Sequence, residues 1–278
     1  MSADPGALRV QADALRDGRV RATEEWVVEE VAVALEVNGL SHAVMMATPL
    51  DLEDFALGFM LSEGLIDARE ELLDVEPEAS DAGITLHVQV LQRLMHRFKE
   101  RRRSMAGRTG CGLCGTESLD QAVRPVCAAV AGIVVRHDAI AHAMQSLPAR
   151  QELQRRTGAA HAAAWCDLDG EVRCVREDVG RHNALDKLIG AIARAREHPA
   201  RGFIAVTSRA SYEMVHKTAT ARVGLLAAIS APTTLAIETA KRAGLTLAGY
   251  ARGHGAVLYT GPERVLVRED ASIDVGAA

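Results

Sequence analysis

The amino-acid sequence predicts an α/β protein whose second half alternates strands with helices. Residues 203–207 and 225–229 are short apolar runs with the length of buried strands. Segments such as 181–196 and 232–243 instead repeat their apolar residues at helical spacing. Strands that alternate with helices in this way imply a mostly parallel sheet with right-handed crossovers.

The composition is that of a globular protein in a reducing compartment. Hydrophobic residues make up 48% of the chain and charged residues 25%, which is typical of a globular protein. The length of 278 residues is sufficient for two lobes or one large domain. The formal net charge of −5 argues against general nucleic-acid binding. No apolar run approaches the roughly 18 residues of a membrane helix, and the N-terminus lacks an apolar signal-peptide core. Five cysteines do not make a disulfide scaffold, so we expect a cytoplasmic protein.

The N-terminal part of the chain is predicted as a tail followed by a small α+β lobe over residues 21–105. Residues 1–20 carry little pattern and are expected to form a flexible tail. Alternating apolar residues over 31–37 predict a half-buried strand. Asn38-Gly39 is typical of a type I′ turn, so residues 41–47 are expected to return as the second strand of a hairpin.

A helix is predicted after this hairpin. Thr48 is expected to be its N-cap and Pro49 its first helical residue, and Gly64 is expected to end it. Residues 84–90 alternate again and predict a further strand of the lobe.

Residues 117–278 are predicted to form the α/β domain. Its predicted helices are 117–131, 138–157 (interrupted at Pro148), 181–196, 211–223 and 232–243. Its predicted strands are 161–166, 172–175 (joined to the first by a turn at Asp169-Gly170), 203–207, 225–229, 245–250, 257–259 and 264–267.

Residues 106–116 separate the two predicted units and carry two cysteines three positions apart. Cys111 and Cys114 lie among four glycines, a density that suits neither helix nor strand and predicts a mobile loop. A basic run over 97–103 precedes the loop. Nearby Lys and Arg charges favour the thiolate, which is the reactive form of cysteine.

Three chemistries of paired cysteines fit this pattern poorly. A structural zinc site needs four ligands, and Cys111 and Cys114 are the only close pair, so no metal ligands are predicted. A thioredoxin-like pair opens a helix directly after a strand, whereas this pair lies among glycines. A zinc-dependent deaminase needs glutamate two residues after its histidine and proline before its first cysteine. This chain has Ala163 two residues after His161, and Gly110 directly before Cys111. A thiol that accepts a group and passes it on is the remaining interpretation, and sulfur held as a persulfide suits it.

Polar residues follow four successive strands of the predicted sheet. In such sheets ligands bind beyond the carboxyl ends of the strands, where helix N-termini favour anions. We call this edge the strand-end rim. Its candidate binding residues are Arg181, His182, Ser208, Arg209, Ser230, Thr233, Tyr250, Ala251, Arg252, Gly253, His254 and Gly255.

The strand-end rim also has an ordinary structural interpretation. Asp178, Ser230 and Thr233 could each be an N-cap. His182 could pair with Asp186 one helical turn later. The recurrence of polar residues at four strand ends, three of them with an arginine, favours a phosphate site over these separate roles.

Several long motifs, in order, carry a resemblance to one family. They are Asn38-Gly39, Thr48-Pro49, Ser62-Glu63-Gly64, Gly107 to Gly115, Glu177 to Lys187, Ser208 to Ser211 with Glu213, and Ala231 to Thr233. On these motifs the chain resembles the formate dehydrogenase accessory sulfurtransferases (FdhD) from about Glu29 to Val267. The resemblance implies a cytidine-deaminase-like three-layer α/β/α sandwich with a smaller N-terminal α+β lobe.

The resemblance also implies a function. Family members take sulfur as a persulfide from a cysteine desulfurase and deliver it to the molybdenum (or tungsten) bis(molybdopterin guanine dinucleotide) cofactor of formate dehydrogenase. They are cytoplasmic and form homodimers. Cys111 matches the persulfide-bearing cysteine, Cys114 its companion, and residues 250–255 the segment that binds the cofactor. The alternative is a non-catalytic chaperone that binds the cofactor and uses the two cysteines structurally.

Overall fold

A β-hairpin precedes the N-terminal lobe, where the sequence predicts a flexible tail. The computed structural model describes residues 6–99 and 130–267, so the predicted loop at 106–116 and most of the helix predicted at 117–131 lie outside the described residues. Strands β1 (Ala7–Arg16) and β2 (Arg19–Val28) pair antiparallel. Asp17 and Gly18 have the positive φ angles of a hairpin turn, and the prediction of a tail over 1–20 is therefore wrong for β1.

The N-terminal lobe contains a four-stranded sheet on which helix α1 packs. Its elements are β3 (Val31–Val37), β4 (Leu40–Ala47), α1 (Leu52–Ser62), β5 (Leu72–Ser80) and β6 (Gly83–Val90), and the strand order is β4-β3-β6-β5. The turn at Asn38-Gly39 is confirmed, with φ angles of 46° and 80°. Strand β5 was not predicted because it is an edge strand with mostly exposed residues, and Pro77 interrupts its pattern.

Helix α1 begins later than predicted. Its N-cap is Asp51, whereas the predicted N-cap, Thr48, is fully buried. Gly64 follows the helix end with a φ of 68°, as predicted. The core between α1 and the sheet contains Val33, Leu35, Phe55, Phe59, Leu86 and Val88.

The remaining elements form the larger α/β domain. They are β7 (Val135–Arg136), α2 (His137–Arg150), α3 (Glu152–Thr157), β8 (His161–Asp167), β9 (Val172–Asp178), α4 (Arg181–Arg194), β10 (Gly202–Val206), α5 (Tyr212–Thr220), β11 (Leu225–Ala228), α6 (Thr234–Ala243), β12 (Thr246–Arg252), β13 (Gly255–Thr260) and β14 (Val265–Leu266). The predicted interruption of the helix over 138–157 falls at Gln151, because Pro148 is accommodated inside α2.

The central sheet is mixed, which corrects the prediction of a mostly parallel sheet. Its order is β13-β12-β11-β10-β8-β9. Only β10, β11 and β12 are parallel neighbours, since hairpins add β8 with β9 at one side and β13 at the other. Strand β14 pairs with β7 outside this sheet, although it was predicted to complete it.

Helices pack on both faces of the central sheet. Apolar residues of α4, α5 and α6 cover one face, and those of α2 cover the other. The described part of the domain therefore has three layers, α/β/α. None of the helices in the described ranges has the length and apolar character needed to cross a bilayer.

The two lobes join where α1 crosses α4 in backbone contact. A Cβ atom added to Gly58 would lie 1.7 Å from the carbonyl oxygen of Asp186, and one added to Gly190 would lie 1.9 Å from that of Asp54. Only glycine fits at such a distance. Ion pairs flank the crossing: Arg176 of β9 contacts Asp54 of α1 at 2.6 Å.

Candidate functional site

The strand-end rim lies along one edge of the central sheet. Strands β9 and β10 run in the same direction because each is antiparallel to β8, which lies between them. Strands β11 and β12 are parallel to β10, so all four carboxyl ends reach the same edge. At about 4.8 Å between neighbouring strands, the ends of β12 and β9 are roughly 19 Å apart. The candidate residues therefore form a row, and Arg181 and Arg252 stand near its two ends.

Backbone contacts hold three rim segments together. The amide of Tyr250 donates to the carbonyl of Ser230 at 3.2 Å, and the amide of Thr233 donates to that of Ala210 at 3.0 Å. From helix α2, Gln145 Nε2 donates to the carbonyl of Gly253 at 2.7 Å. These bonds position the loops after β10, β11 and β12 beside one another.

Some rim side chains have structural roles. Thr233 Oγ1 accepts from the amide of Ala236 at 3.3 Å, so this residue is the N-cap of α6. Ser208 is buried and its hydroxyl donates to the carbonyl of Arg209. The Ala251 side chain is buried in the core under the sheet, so only its backbone can reach a ligand.

Other rim side chains are open to solvent. They are Arg209, Ser230, Tyr250, Arg252 and His254. The Arg252 guanidinium lies 5.8 Å from the centre of the Tyr250 ring. The exposed cations and aromatic ring give this part of the rim the chemistry of a phosphate-bearing, planar ligand.

Asp178 belongs to the lobe junction and not to the open rim. Its carboxylate is fully buried and accepts from the amides of Gly180 and Thr48, the Asn183 side chain, the Thr48 hydroxyl and the Lys187 ammonium. With five donors this carboxylate has no capacity for a ligand. Thr48 thus binds a residue 130 positions away instead of capping the next helix.

His182 pairs with a residue that sequence spacing did not indicate. Its Nε2 lies 2.6 Å from Glu213 Oε2, and Asp186, the predicted partner, instead contacts Lys217 at 2.9 Å. Burial opposes ionisation of Glu213, but the hydrogen bond and charge of His182 outweigh it and lower the pKa of this carboxyl. The contact ties the N-terminal turn of α4 to that of α5.

Arg181 brings positive charge to the β9 end of the rim, where His161 begins β8. Arg181 Nε is buried and has no hydrogen-bond partner among the described residues. Burial and the positive charge of Arg181 lower the pKa of His161, which favours the neutral form of its imidazole. Sequence reasoning missed His161 because it is the first residue of β8. The first residue of a strand lies at the edge where the neighbouring strands end only if the strand is antiparallel to them.

A cleft of about 740 Å³ lies at the opposite end of the sheet, between the lobes. Asp67 and Arg222 both line it. Arg97 contacts Asp67 at 2.8 Å, and the amide of Ala131 donates to the carbonyl of Arg222 at 2.8 Å. Arg97 and Ala131, which lie on either side of residues 100–129 in the sequence, are therefore both beside this cleft. Cys111 and Cys114 are within that stretch, outside the described residues.

The sequence of the chain is similar to those of known proteins. A family model described as the FdhD/NarQ family matches residues 28–266. A sulfur carrier protein FdhD of Variovorax paradoxus is 58% identical over 241 residues, which are 87% of each chain. One of Cupriavidus necator is 52% identical over 250 residues, covering 90% of this chain and 87% of the relative.

A solved structure has the same fold. It is a crystal structure of a protein described as a formate dehydrogenase accessory protein from Desulfotalea psychrophila. The TM-score is 0.74 at 23% identity, and the alignment covers 94% of this chain and all of the other. At that identity the likeness concerns the fold alone.

Proposed function

Because the chain belongs to the FdhD/NarQ family, we propose that it is a sulfur carrier that serves the maturation of formate dehydrogenase. The observation that carries this proposal is the match to proteins named sulfur carriers at up to 58% identity over most of the chain. The family match spans residues 28–266 and so includes Cys111 and Cys114. We propose further that it acts in the cytoplasm, as a homodimer, with a cytidine-deaminase-like sandwich as its larger domain.

Cys111 is proposed to carry the sulfur as a persulfide. Its thiolate attacks the terminal sulfur of a persulfide on a cysteine desulfurase, and the desulfurase cysteine leaves as a thiolate. The thiolate of Cys114 can then attack Cys111 Sγ, which forms the Cys111–Cys114 disulfide and releases the terminal sulfur as sulfide. A dithiol reductant must reduce that disulfide before the next cycle. The step balances because the two cysteines supply the two electrons that sulfide gains.

The strand-end rim is proposed to hold the recipient of this sulfur, the molybdenum bis(molybdopterin guanine dinucleotide) cofactor, as a bound substrate. Its pyrophosphates match the rim arginines Arg181, Arg209 and Arg252. An extended row of cations suits two dinucleotide arms better than one compact anion. Twelve positions separate Lys99 from Cys111, a reach of up to roughly 40 Å. That reach exceeds the length of the sheet strands between the cleft and the rim, about 17 Å for five residues.

The carrier role is tested by mapping sulfane sulfur. The protein is incubated with a cysteine desulfurase and cysteine, and bound sulfur is located by mass spectrometry. We expect loading on Cys111 in the wild type and none in Cys111→Ala. Cys174→Ala is the matched control, because burial raises the pKa of this thiol and keeps it unreactive. Normal loading and normal formate dehydrogenase activation by Cys111→Ala would exclude the assignment.

The chaperone alternative makes the opposite prediction for the double variant. If the two cysteines were only structural, Cys111→Ala/Cys114→Ala with its fold intact would activate formate dehydrogenase as well as the wild type does. The carrier proposal requires that activation be lost while binding of a guanine nucleotide persists.

A further inference from the structure

The hairpin of β1 and β2, which we call the arm, has no part in the sulfur chemistry proposed above. The family match begins at residue 28, so the arm precedes it. The base of the arm packs on helix α3, where Ala7 and Trp26 contact the apolar cluster of Leu153. At the other end Leu15 is 72% exposed. A two-stranded hairpin on its own is marginally stable in water, so strands of ten residues each need more cover than α3 supplies.

One face of the arm packs on α3, and the opposite face is open to solvent in the described part of the chain. Residues directly opposite each other in an antiparallel pair project from the same face. The open face, which we call the outer face, therefore carries five cross-strand pairs from base to tip: Leu8 with Val27, Val10 with Glu25, Ala12 with Thr23, Ala14 with Arg21, and Arg16 with Arg19. Leu8, Val10 and Val27 are 43%, 38% and 44% exposed. Contiguous apolar side chains of this exposure mark an interaction surface.

The charges of the outer face are arranged so that the face complements itself. Its tip end is basic, and its acidic residue, Glu25, lies nearer the base. Glu25 and Arg21 are both exposed and stand two residues from Thr23 in opposite directions along β2. Ala12 and Thr23, the pair midway along the face, are small and allow close approach there.

We propose that the outer face of the arm packs against the same face of a second copy of this chain, with the two arms antiparallel. A two-fold axis that passes the pair of Ala12 and Thr23 places Glu25 over the partner's Arg21. The symmetry repeats this ion pair on the other side of the axis. An isologous contact of this kind closes on itself and stops at the dimer.

The remaining pairs of the outer face fit the same arrangement. Val10 lies over the partner's Ala14, a large residue against a small one. Leu8 lies over the partner's Arg16, whose aliphatic stem covers it while the guanidinium reaches water. A parallel arrangement of the two arms would instead place Arg16 over the partner's Arg19, and the like charges oppose it.

The size of the face indicates what the contact contributes. Strands of ten residues are about 33 Å long, and two of them are about 10 Å wide. The two copies together therefore bury roughly 650 Å², about half of the area that a stable protein interface needs. The arms accordingly strengthen the homodimer of the proposed function, on which this inference rests, and do not form it alone.

The test is the dissociation constant of the dimer, measured on the full chain by analytical ultracentrifugation over a range of concentrations. Arg21→Glu and Glu25→Arg each bring like charges together twice across the axis, so each should raise the dissociation constant about tenfold or more. An equimolar mixture of the two variants should return to within about twofold of the wild type, because opposite charges meet again at both contacts of the mixed dimer. Asp13→Arg is the control, an equal change of charge on the opposite face of the arm, and should have no effect.

Three results would overturn the inference: dissociation constants of both single variants within about twofold of wild type, a mixture that associates no more tightly than either variant, or a wild type that is monomeric throughout. Circular dichroism checks that each variant keeps its fold. Variants that dimerise like the wild type would leave the homodimer in place on another surface. A monomeric wild type would remove the homodimer as well. The carrier role is read separately, from sulfur loading on Cys111.

Discussion

Lys187 Nζ lies 2.7 Å from Asp178 Oδ2, and neither side chain is exposed to solvent. Burial lowers the pKa of Lys187, and the charge of Asp178 opposes that effect. Lys187 also donates to Thr48 Oγ1 at 2.7 Å, so the pair connects the larger domain to the chain between β4 and α1. This buried pair sets the position of the small lobe against the strand-end rim.

Removal of one partner should therefore destabilise the protein strongly. We expect Asp178→Asn or Lys187→Met to lower the free energy of unfolding by about 3–5 kcal/mol, because each leaves a buried charge uncompensated. The double variant should lose less than the sum of the two. Urea denaturation followed by circular dichroism measures all three. Losses below about 1 kcal/mol for the single variants would show that the junction does not depend on this pair.

The helix crossing at the lobe junction makes a second prediction. Alanine is the better helix former, so Gly58→Ala would ordinarily stabilise α1. Here the added methyl group meets a backbone oxygen of α4 at 1.7 Å, and the helices must separate. We expect a loss of about 2 kcal/mol or more in thermal or urea unfolding. Gly132→Ala is the matched control, since its Cβ would meet open space, and it should leave the stability unchanged.

The contact between His182 and Glu213 predicts a pH dependence. The folded pKa of Glu213 lies below its usual value of 4.5. Its contribution to stability is therefore complete above that value and is lost as the pH falls through the lower folded pKa. Glu213→Gln should be less stable than wild type at pH 7, and the difference should shrink as the pH falls below 4.5. A difference that is constant from neutral to acid pH would assign the effect to packing instead.

Arg252 provides a direct test of the strand-end rim. We expect Arg252→Ala to weaken binding of GDP by about tenfold, because a charge-assisted contact to phosphate is lost. Arg201→Ala is the control: this residue is also exposed but precedes β10, at the opposite end of the sheet. An affinity that Arg252→Ala leaves unchanged would remove Arg252 from the site.

Local patterns were sufficient for most elements. The hairpin of β3 and β4 was predicted because its turn, Asn38-Gly39, and the alternation of its strands are local properties. The hairpin of β1 and β2 was missed although Asp17-Gly18 is also a turn signal. Its residues are mostly exposed, so its strands lack the alternation that a buried face imposes.

The sheet directions were decided by pairing between distant strands. Apolar runs predict that a segment is a strand but carry no information about the direction of its neighbour. Because β8 is antiparallel to its neighbours, His161 at its start lies at the edge where β9 and β10 end. Strand β8 also lies between these two strands and therefore separates Arg181, which follows β9, from Arg209, which follows β10.

The sequence by itself determined most of the helices and strands, the FdhD motifs and the candidate cysteines, because each depends on residues close together in the chain. Only the tertiary structure decided what the polar residues do. Thr48 binds Asp178, His182 binds Glu213 and Asp186 binds Lys217 because α1, α4 and α5 pack side by side. Hydrogen-bond partners of buried groups are set by that packing, since most donors and acceptors removed from water pair with the residues that surround them.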